Sequence, residues 1–374
     1  MIDWRSDESH ILNNPTFNLE PGESALRELW PGHLWFTTSG TTRRQRRWVG
    51  LSKQSLLTSA RAVNQHLAVT KNDLWLSALP GFHVGGQGIW ARAWLAGIEV
   101  IEVAGAWSPE YFVQQAAASG ATLSALVPTQ IYDLVQRGLK APSCLRALVV
   151  GGGALHPELY RQARNLKWPL LPSFGMTECA SQIATASINS LDQQQYPPLQ
   201  ILPHVTCRLD QGGCLELSSA ALLTAYAEWQ PETGRLEVFD PKKNGWFKSE
   251  DRAELVGNFL NPRGRISDQT KVLGELVDLA QLEALLQSQV AALNLQLSAT
   301  LIATAHPRLQ TQIDLVVAIE SEKSIQMLAQ NLKNAFDQSV LPFERSHNLY
   351  VVDKIPRTAL GKIARQALFA QLGF

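Results

Sequence analysis

The sequence predicts an α/β protein in which a large N-terminal domain, with helix-covered, largely parallel sheets and a small β subdomain, precedes a C-terminal α+β domain. Short apolar segments alternate with helical stretches through the first 190 residues, a pattern typical of parallel sheets covered by helices. From about residue 199, short strands alternate with Gly/Asp turns, which predicts antiparallel pairing. Beyond Arg265, helices and strands mix over about 110 residues, enough for a small domain with its own core.

The individual elements follow from apolar runs and from the proline and glycine residues that end them. Strands are predicted at residues 74–79, 98–103, 123–127 and 145–150, and helices at 109–119, 129–137 and 157–166. The C-terminal region is predicted to hold helices at 279–293, 324–339 and 360–372 and strands at 299–304, 314–318 and 348–352. We therefore predict two domains, 1–264 and 265–374, with a hinge at Pro262-Arg263-Gly264-Arg265.

The composition argues against several classes of partner. The 374 residues carry 33 basic and 33 acidic side chains, so no global field favours nucleic acid or a membrane surface. The four cysteines show no metal-binding spacing, and the N-terminus has no secretory pattern. No apolar run reaches the roughly 20 residues needed to cross a bilayer. We expect a cytoplasmic protein with reduced thiols, no nucleic-acid partner and no membrane insertion; a homodimer is compatible with the sequence.

A hydroxyl-rich glycine turn follows the apolar segment at residues 34–36. Its backbone N–H and hydroxyl groups are suitable donors for an anion, and it consists of Thr38, Ser39, Gly40, Thr41 and Thr42. Four arginines follow directly, namely Arg43, Arg44, Arg46 and Arg47. Guanidinium groups suit phosphate. The segment therefore predicts a polyphosphate ligand, although a Ser/Thr/Gly loop is also an ordinary turn.

Separated segments resemble, in chain order, the motifs of one enzyme family. They are TSGTT at 38–42, LPGFHVGG at 79–86, GGGA at 151–154, SFGMTE at 173–178, GWFKSED at 245–251, Gly264-Arg265 with Gly274-Glu275, and PRTALGK at 356–362. On these motifs the chain resembles the adenylate-forming acyl-CoA synthetase superfamily of AMP-binding enzymes, and most closely its o-succinylbenzoate–CoA ligases. The resemblance runs from residue 36 to the C-terminus.

The resemblance implies an ATP-dependent acid–CoA ligase. A carboxylate attacks the α-phosphorus of ATP to give acyl-AMP and pyrophosphate, and the thiol of coenzyme A then displaces AMP. With o-succinylbenzoate as the acid, the product is o-succinylbenzoyl-CoA, an intermediate of menaquinone biosynthesis. The resemblance also implies Mg²⁺ and a mobile C-terminal domain that serves both half-reactions.

Four residues are implied to act in the chemistry. Lys362 would bridge the carboxylate and the α-phosphate, Thr177 would approach that phosphate, and Glu178 would hold Mg²⁺. His83 would line the acyl pocket. Lys362, Glu178 and His83 each have a structural alternative: a solvated lysine, a carboxylate in the first turn of a helix, and a satisfied core histidine.

Other residues are implied to bind the nucleotide or to enter the site in the second half-reaction. The loop at 38–42 would hold the β- and γ-phosphates, and Asp251 and Arg265 would contact the ribose. Asp251 alone is also a common turn residue. The remaining assigned residues are Gly152, Gly153, Phe174, Gly175, Met176 and Gly274.

The sequence departs from the family pattern at several places. Residues 43–47 replace the usual Gly-x-Pro-Lys, and their arginines are compatible with a phosphate contact, an anionic partner or a solvated loop. Phe174 replaces a tyrosine, Glu250 replaces the glycine before Asp251, and Ser267 stands where Asp or Lys is common at the hinge. Only 37 residues precede the phosphate loop, where typical members have well over a hundred, so we expect a trimmed first subdomain.

Two further functions stay open on the sequence alone. One is adenylation of another aryl or acyl acid, or transfer to a carrier-protein thiol. The other is a nucleotide-binding protein without turnover, suggested by the altered phosphate loop. For a dicarboxylic acid, Arg92 and the stretch around Thr185 and Ser187 are candidates to contact the second carboxylate.

Overall fold

The chain divides into two structural units. A computed structural model describes residues 2–13, 22–38, 47–230, 232–265, 269–272, 275–295, 297–306, 310–318, 325–358 and 361–374. The first unit comprises Met1–Ser249, Glu254–Asn261 and Ala359–Gly361, and the second comprises Glu250–Ala253, Pro262–Thr358 and Lys362–Phe374. The predicted hinge at 262–265 lies within a β-strand, and the domain boundary after residue 264 stays a prediction.

The strands and helices up to residue 265 are as follows. The strands are β1 His10–Leu12, β2 His33–Thr38, β3 Arg47–Ser52, β4 Trp75–Ser77, β5 Val100–Glu102, β6 Leu123–Leu126, β7 Ala147–Val150, β8 Leu170–Met176, β9 Ser181–Ala186, β10 Leu199–Ile201, β11 Thr206–Leu209, β12 Cys214–Ser218, β13 Ala225–Gln230, β14 Arg235–Phe239, β15 Phe247–Val256 and β16 Phe259–Arg265. The helices are α1 Glu23–Leu29, α2 Lys53–His66, α3 Val84–Ala96, α4 Pro109–Ser119, α5 Pro128–Gln136 and α6 Pro157–Asn165, with 3-10 helices at Thr177–Cys179 and Ile188–Asp192.

The largest sheet of the described residues has the order β11-β12-β15-β16-β10-β9-β8-β7-β6-β4-β5. Its β5-β4-β6-β7-β8 part is parallel, whereas β8, β9 and β10 pair antiparallel. Every residue of β6 and β7 is buried, as expected for parallel strands covered on both faces. The covering helices α4, α5 and α6 all begin with proline, whose fixed φ suits the first helical turn. The predicted α/β fold class is confirmed.

A second sheet has the order β1-β2-β3-β13-β14. Strands β2 and β3 pair antiparallel from His33↔Ser52 to Thr38↔Arg47, so they flank residues 39–46 on both sides. Trp35 and Trp48 are fully buried between this sheet and α1. The packing of these two large side chains fixes the strands that lead into and out of the predicted phosphate loop.

The second unit contains a sheet covered by helices on both faces. Its strands are β17 Gln269–Val272, β18 Glu275–Asp278, β19 Ser298–His306, β20 Gln310–Ala318 and β21 Ser346–Val352, and its helices are α7 Leu279–Ala292, α8 Ile325–Gln338 and α9 Arg365–Leu372, with a 3-10 helix at Pro342–Glu344. Leu315 packs with Leu286 of α7 and Phe336 of α8, whereas its neighbour Val316 packs with Leu368 of α9. Because successive strand residues face opposite sides, the unit has two apolar layers. None of the helices described for the chain is both long and apolar enough to cross a membrane.

An ion pair between a buried aspartate and a partly exposed arginine joins the starts of three parallel strands in the first unit. Arg146, just before β7, donates through Nε and Nη2 to the two carboxylate oxygens of Asp73 at 2.7 and 2.8 Å. Thr122, just before β6, donates to the same carboxylate at 2.7 Å, and so does the backbone N–H of Thr70 at 2.8 Å. Burial alone would raise the pKa of Asp73, but the hydrogen bonds from Arg146, Thr70 and Thr122 outweigh it and hold the pKa well below its usual range.

Asp73→Asn is therefore expected to destabilise the first unit by about 3 kcal/mol, because it leaves the Arg146 guanidinium without its counter-charge. All 11 tryptophans lie at or before residue 246, so urea denaturation followed by tryptophan fluorescence reports on this unit. The pKa of Asp73 is lower in the native state than in the unfolded state. Its ion pair therefore stabilises the fold fully above the unfolded pKa of about 4, and this stabilisation is lost as the pH falls below that value.

The difference in free energy of unfolding between wild type and Asp73→Asn should accordingly become smaller below about pH 4. The control is Glu110→Gln, which breaks the exposed pair with Arg137 at 2.8 Å and should leave the unfolding transition unchanged. A difference of the same size at every pH would contradict the assignment of the stabilisation to the ionised Asp73.

Candidate active site

The carboxyl ends of β4, β6, β7 and β8 meet at one edge of the parallel sheet, where predicted site residues gather. His83 lies in the turn after β4 at the N-cap position of α3, and its ring is tilted against that of Phe82 with 4.6 Å between ring centroids. Gly152 and Gly153 follow β7, directly beside the end of β8. Ligands bind at this edge in open parallel sheets. The structure thus brings the acyl-side and adenine-side segments predicted from sequence to the same edge.

Gly175 lets β8 bend into the 3-10 helix that carries Thr177 and Glu178. A Cβ atom at Gly175 would lie 1.9 Å from the carbonyl oxygen of Ser181 on β9, a separation that no side chain tolerates. The register of β8 against β9 shifts at this point, between Phe174 and Gly175. The close approach requires glycine, and it turns the chain so that Thr177 and Glu178 follow directly after Met176 at the sheet edge.

Glu178 is held by the neighbouring sheet through two hydrogen bonds. The hydroxyl of Tyr226 donates to its Oε1 at 3.0 Å, and the backbone N–H of Leu223 donates to its carbonyl at 2.8 Å. Tyr226 lies on β13, which pairs with β3, and the guanidinium of Arg47 at the start of β3 lies 4.4 Å from the Tyr226 ring centroid. Because Thr38 pairs with Arg47, the residues that flank segment 39–46 lie on neighbouring strands of the sheet that carries Tyr226.

Most of the predicted phosphate loop lies outside the described residues. This applies to Ser39, Gly40, Thr41 and Thr42, to the loop arginines Arg43, Arg44 and Arg46, and to Gly274. Thr38 ends β2, and only its backbone is described. Arg47 was grouped with the loop arginines in the sequence analysis, but it belongs to β3 and forms a 2.5 Å ion pair with Glu228 on β13. Its charge is therefore matched by a carboxylate of the protein.

Arg92 is a buried cation on α3. Its residue is 2% exposed, and burial lowers its pKa to about 10. The guanidinium lies 5.6 Å from the ring centroid of Trp75, and Nη2 is 3.5 Å from the Ser181 hydroxyl. Nε has no hydrogen-bond partner among the described residues. Gly88 makes room for the group, since a Cβ there would lie 3.0 Å from Nη2.

The hydroxyls of Thr185 and Ser187, which the sequence analysis paired with Arg92, have other partners. Thr185 donates to Gln182 Oε1 at 2.8 Å and contacts the Ser173 hydroxyl at 3.0 Å. The Ser187 hydroxyl accepts the N–H of Asn189 and caps a 3-10 helix. The serine beside Arg92 is instead Ser181, whose φ of +98° is rare for a residue with a side chain.

Asp251, Arg265 and Lys362 belong to the second unit. Arg265 Nε donates to Asp251 Oδ1 at 2.8 Å, so the two residues predicted to contact ribose form one ion pair. The carbonyl of Lys362 accepts a hydrogen bond from the N–H of Thr358 at 2.7 Å, and an isolated antiparallel β-bridge pairs the backbones of Arg357 and Ile363. Lys362 therefore sits in a tight loop just before α9.

The donor set suits a metal ion shared with a substrate rather than one enclosed by protein. In the described part of the chain, no three His, Cys, Asp or Glu side chains are grouped to hold a metal. Mg²⁺ is commonly bound by one or two carboxylates together with substrate phosphates. A single carboxylate at Glu178, which accepts a hydrogen bond from Tyr226 beside Arg47, fits that pattern.

Comparison with known proteins identifies the domain that carries this site. The model of the AMP-binding enzyme family matches residues 31–214. Residues 31–214 of this chain therefore resemble an AMP-binding enzyme domain. A 2-succinylbenzoate–CoA ligase of Staphylococcus epidermidis is 32% identical over 187 residues, which cover 50% of this chain and 37% of that protein. A ligase of the same name from Enterococcus faecalis is 24% identical over 348 residues, which cover 89% of this chain and 68% of that protein. These matches agree with the family predicted from the motifs.

Solved structures share the fold of this AMP-binding chain. E. coli MenE with bound OSB-AMS is 23% identical with a TM-score of 0.72, covering 91% of this chain and 68% of its own. The o-succinylbenzoate CoA synthetase from Bacillus subtilis, in complex with the acyl-adenylate intermediate OSB-AMP, is 22% identical with the same TM-score, covering 90% and 68%. The chain therefore matches 37% of the first relative's length and about two thirds of these structures.

Tyr226 is the site residue that the sequence analysis missed. It lies in the apolar strand segment Ala225-Tyr226-Ala227, where an aromatic residue is expected for packing alone. Its partner Glu178 is 48 residues earlier in the chain. The contact arises only because the two sheets meet, so no local sequence signal marks it.

Asp251→Ala is expected to weaken ATP binding by about tenfold or more, because ribose hydroxyls would lose a charged acceptor. Calorimetric titration with ATP measures the change. The control is Glu216→Gln, which breaks a comparable 2.7 Å ion pair with Arg208 and should leave ATP affinity unchanged. An unaltered affinity in Asp251→Ala would show that the ribose assignment is wrong.

Proposed function

We propose that this chain is an ATP-dependent acid–CoA ligase that converts o-succinylbenzoate to its acyl-AMP and then to o-succinylbenzoyl-CoA, as in menaquinone biosynthesis. The AMP-binding domain and the names of the relatives support the reaction type. The buried cation at Arg92 supports a dicarboxylic acid. Coenzyme A as the acceptor, a cytoplasmic location and a homodimer compatible with the sequence complete the proposal.

The charge of Arg92 is the observation that favours a dicarboxylic acid. A buried cation loses several kcal/mol of hydration, which only an opposite charge in good geometry offsets. The Trp75 ring face and the Ser181 hydroxyl provide partial compensation, while Nε has no acceptor within the part of the chain that the structure describes. One carboxylate of o-succinylbenzoate is adenylated, and the other would be the anion that Arg92 binds.

The residues at the sheet edge would divide the adenylation step among them. Thr38 to Thr42 would hold the β- and γ-phosphates of ATP, Thr177 would donate to the α-phosphate, and Glu178 would hold Mg²⁺. The metal ion would offset the negative charge on the phosphates. Lys362 would bridge the attacking carboxylate and the α-phosphate, and it would have to leave for the thiol to attack.

The remaining assigned residues would position the nucleotide and the acid. Gly152, Gly153, Phe174, Gly175 and Met176 would line the adenine side. The pair Asp251 and Arg265 would hold the ribose, Gly274 would enter during thioester formation, and His83 would line the acyl pocket.

Exchange of labelled pyrophosphate into ATP tests the proposed function, with Mg²⁺ and a panel of o-succinylbenzoate, benzoates and short fatty acids. The expected result is exchange that depends on o-succinylbenzoate, followed by thioester formation when CoA is added. Exchange that depends on a different acid and not on o-succinylbenzoate would show that the other acid is the substrate. No exchange with any acid, despite measurable ATP binding, would favour a nucleotide-binding protein without turnover.

Arg92→Met is expected to lower kcat/KM for o-succinylbenzoate by about tenfold or more, since a charge-assisted contact is removed. Two monocarboxylic analogues, 4-oxo-4-phenylbutanoate and 2-butanoylbenzoate, each lack one of the two carboxylates and show which one Arg92 contacts. For the analogue that lacks the contacted carboxylate, wild type and Arg92→Met should have the same kcat/KM. Methionine of similar length should leave the melting temperature unchanged or higher. Equal losses with all three acids would contradict the carboxylate contact.

Lys362→Ala is expected to abolish formation of acyl-AMP while sparing thioester formation from supplied acyl-AMP, because only the first half-reaction uses the ammonium group. Single-turnover assays of each half-reaction measure the two effects. Lys354→Ala, a second lysine of the same unit, is the control and should preserve both steps. Equal loss of both half-reactions in Lys362→Ala would refute the assignment.

A further inference from the structure

The carboxylate of Glu178 is oriented by a residue that none of the family motifs contains. Tyr226 Oη donates to Glu178 Oε1 at 3.0 Å. A second bond, from the Leu223 N–H to the Glu178 carbonyl at 2.8 Å, fixes the backbone of Glu178 to the segment that leads into β13. The side chain of Glu178 is therefore tied to β13, and its main chain to the segment just before β13.

Tyr226 is itself held firmly from several sides. The residue is 6% exposed, and its ring packs against Phe239 and Phe247 with centroids 5.6 and 6.4 Å apart. The guanidinium of Arg47, paired with Glu228 on the same strand, lies over the ring at 4.4 Å. With the ring held in this way, the Tyr226 hydroxyl donates to the carboxylate oxygen of Glu178.

We propose that Tyr226 is a positioning residue that occupies one oxygen of Glu178 and thereby directs the other toward the metal ion of bound nucleotide. The inference rests on the proposed function, since it takes Glu178 as the metal-binding carboxylate. A carboxylate that one donor holds in place retains its second oxygen for a cation, and it loses less rotational freedom on binding. Arg47 directly follows segment 39–46 in the chain and contacts the Tyr226 ring. Arg47 and Tyr226 therefore connect the end of the predicted phosphate loop to Glu178.

Tyr226→Phe removes the hydroxyl while keeping the ring. The variant is expected to bind Mn²⁺ about tenfold more weakly in the presence of α,β-methylene-ATP. This loss corresponds to the lower end of the energy range for a hydrogen bond to a charged group. Electron paramagnetic resonance measures free Mn²⁺ directly and needs no turnover. The Mg²⁺ concentration for half-maximal pyrophosphate exchange should rise by a similar factor.

Tyr160→Phe is the matched control. Tyr160 is fully buried in the same unit, and its hydroxyl has no hydrogen-bond partner among the described residues. This variant should retain wild-type Mn²⁺ affinity. Melting temperatures of both variants establish that each one is folded.

A double-mutant cycle shows whether Tyr226 acts through Glu178. In a Glu178→Gln background, Tyr226→Phe should cause no further loss of Mn²⁺ affinity. Unchanged affinity in the single Tyr226→Phe variant, or a lower kcat with unchanged affinity, would overturn the proposal. A wild-type protein that binds Mn²⁺ with nucleotide but shows no exchange with any acid would count against the proposed function alone.

Discussion

The buried guanidinium of Arg92 is the constraint on which the proposed acid-binding site depends. A cation removed from water must be compensated, and among the described residues the Trp75 ring and the Ser181 hydroxyl at 3.5 Å lie beside it. Gly88 leaves the space that the group fills, and Ser181 reaches it from a backbone conformation with φ of +98°. Strain of this kind is concentrated at functional sites, and here it lies beside a cation whose Nε has no hydrogen-bond partner among the described residues.

The rest of the site depends on two sheets meeting at one place. The parallel sheet brings Gly152 and Glu178 to a common edge, and the close contact at Gly175 turns the chain there. The antiparallel sheet contributes Arg47 and Tyr226, which connect the ends of the predicted phosphate loop to Glu178. Far from this edge, the ion pair of Asp73 holds the starts of the same parallel strands.

Much of the fold follows from local sequence signals. Apolar runs ended by proline predicted β6, β7 and helices α4 to α6 almost to the residue, because burial and helix capping are local properties. The motifs also predicted that Glu178 and His83 belong to one site. Tyr226 could not be predicted, since its bond to Glu178 depends on how two sheets pack. Arg92 was predicted to contact a carboxylate, but the position of Ser181, rather than Thr185, beside it depends on tertiary packing and on the positive φ of Ser181.

A crystal structure of the chain with bound o-succinylbenzoate would test the central claim most directly. The account predicts a carboxylate oxygen of the acid about 3 Å from Nε or a terminal nitrogen of Arg92, with the other carboxylate at the sheet edge beside Thr177. An acid bound with both carboxylates away from Arg92, and a guanidinium whose Nε still has no partner, would contradict it.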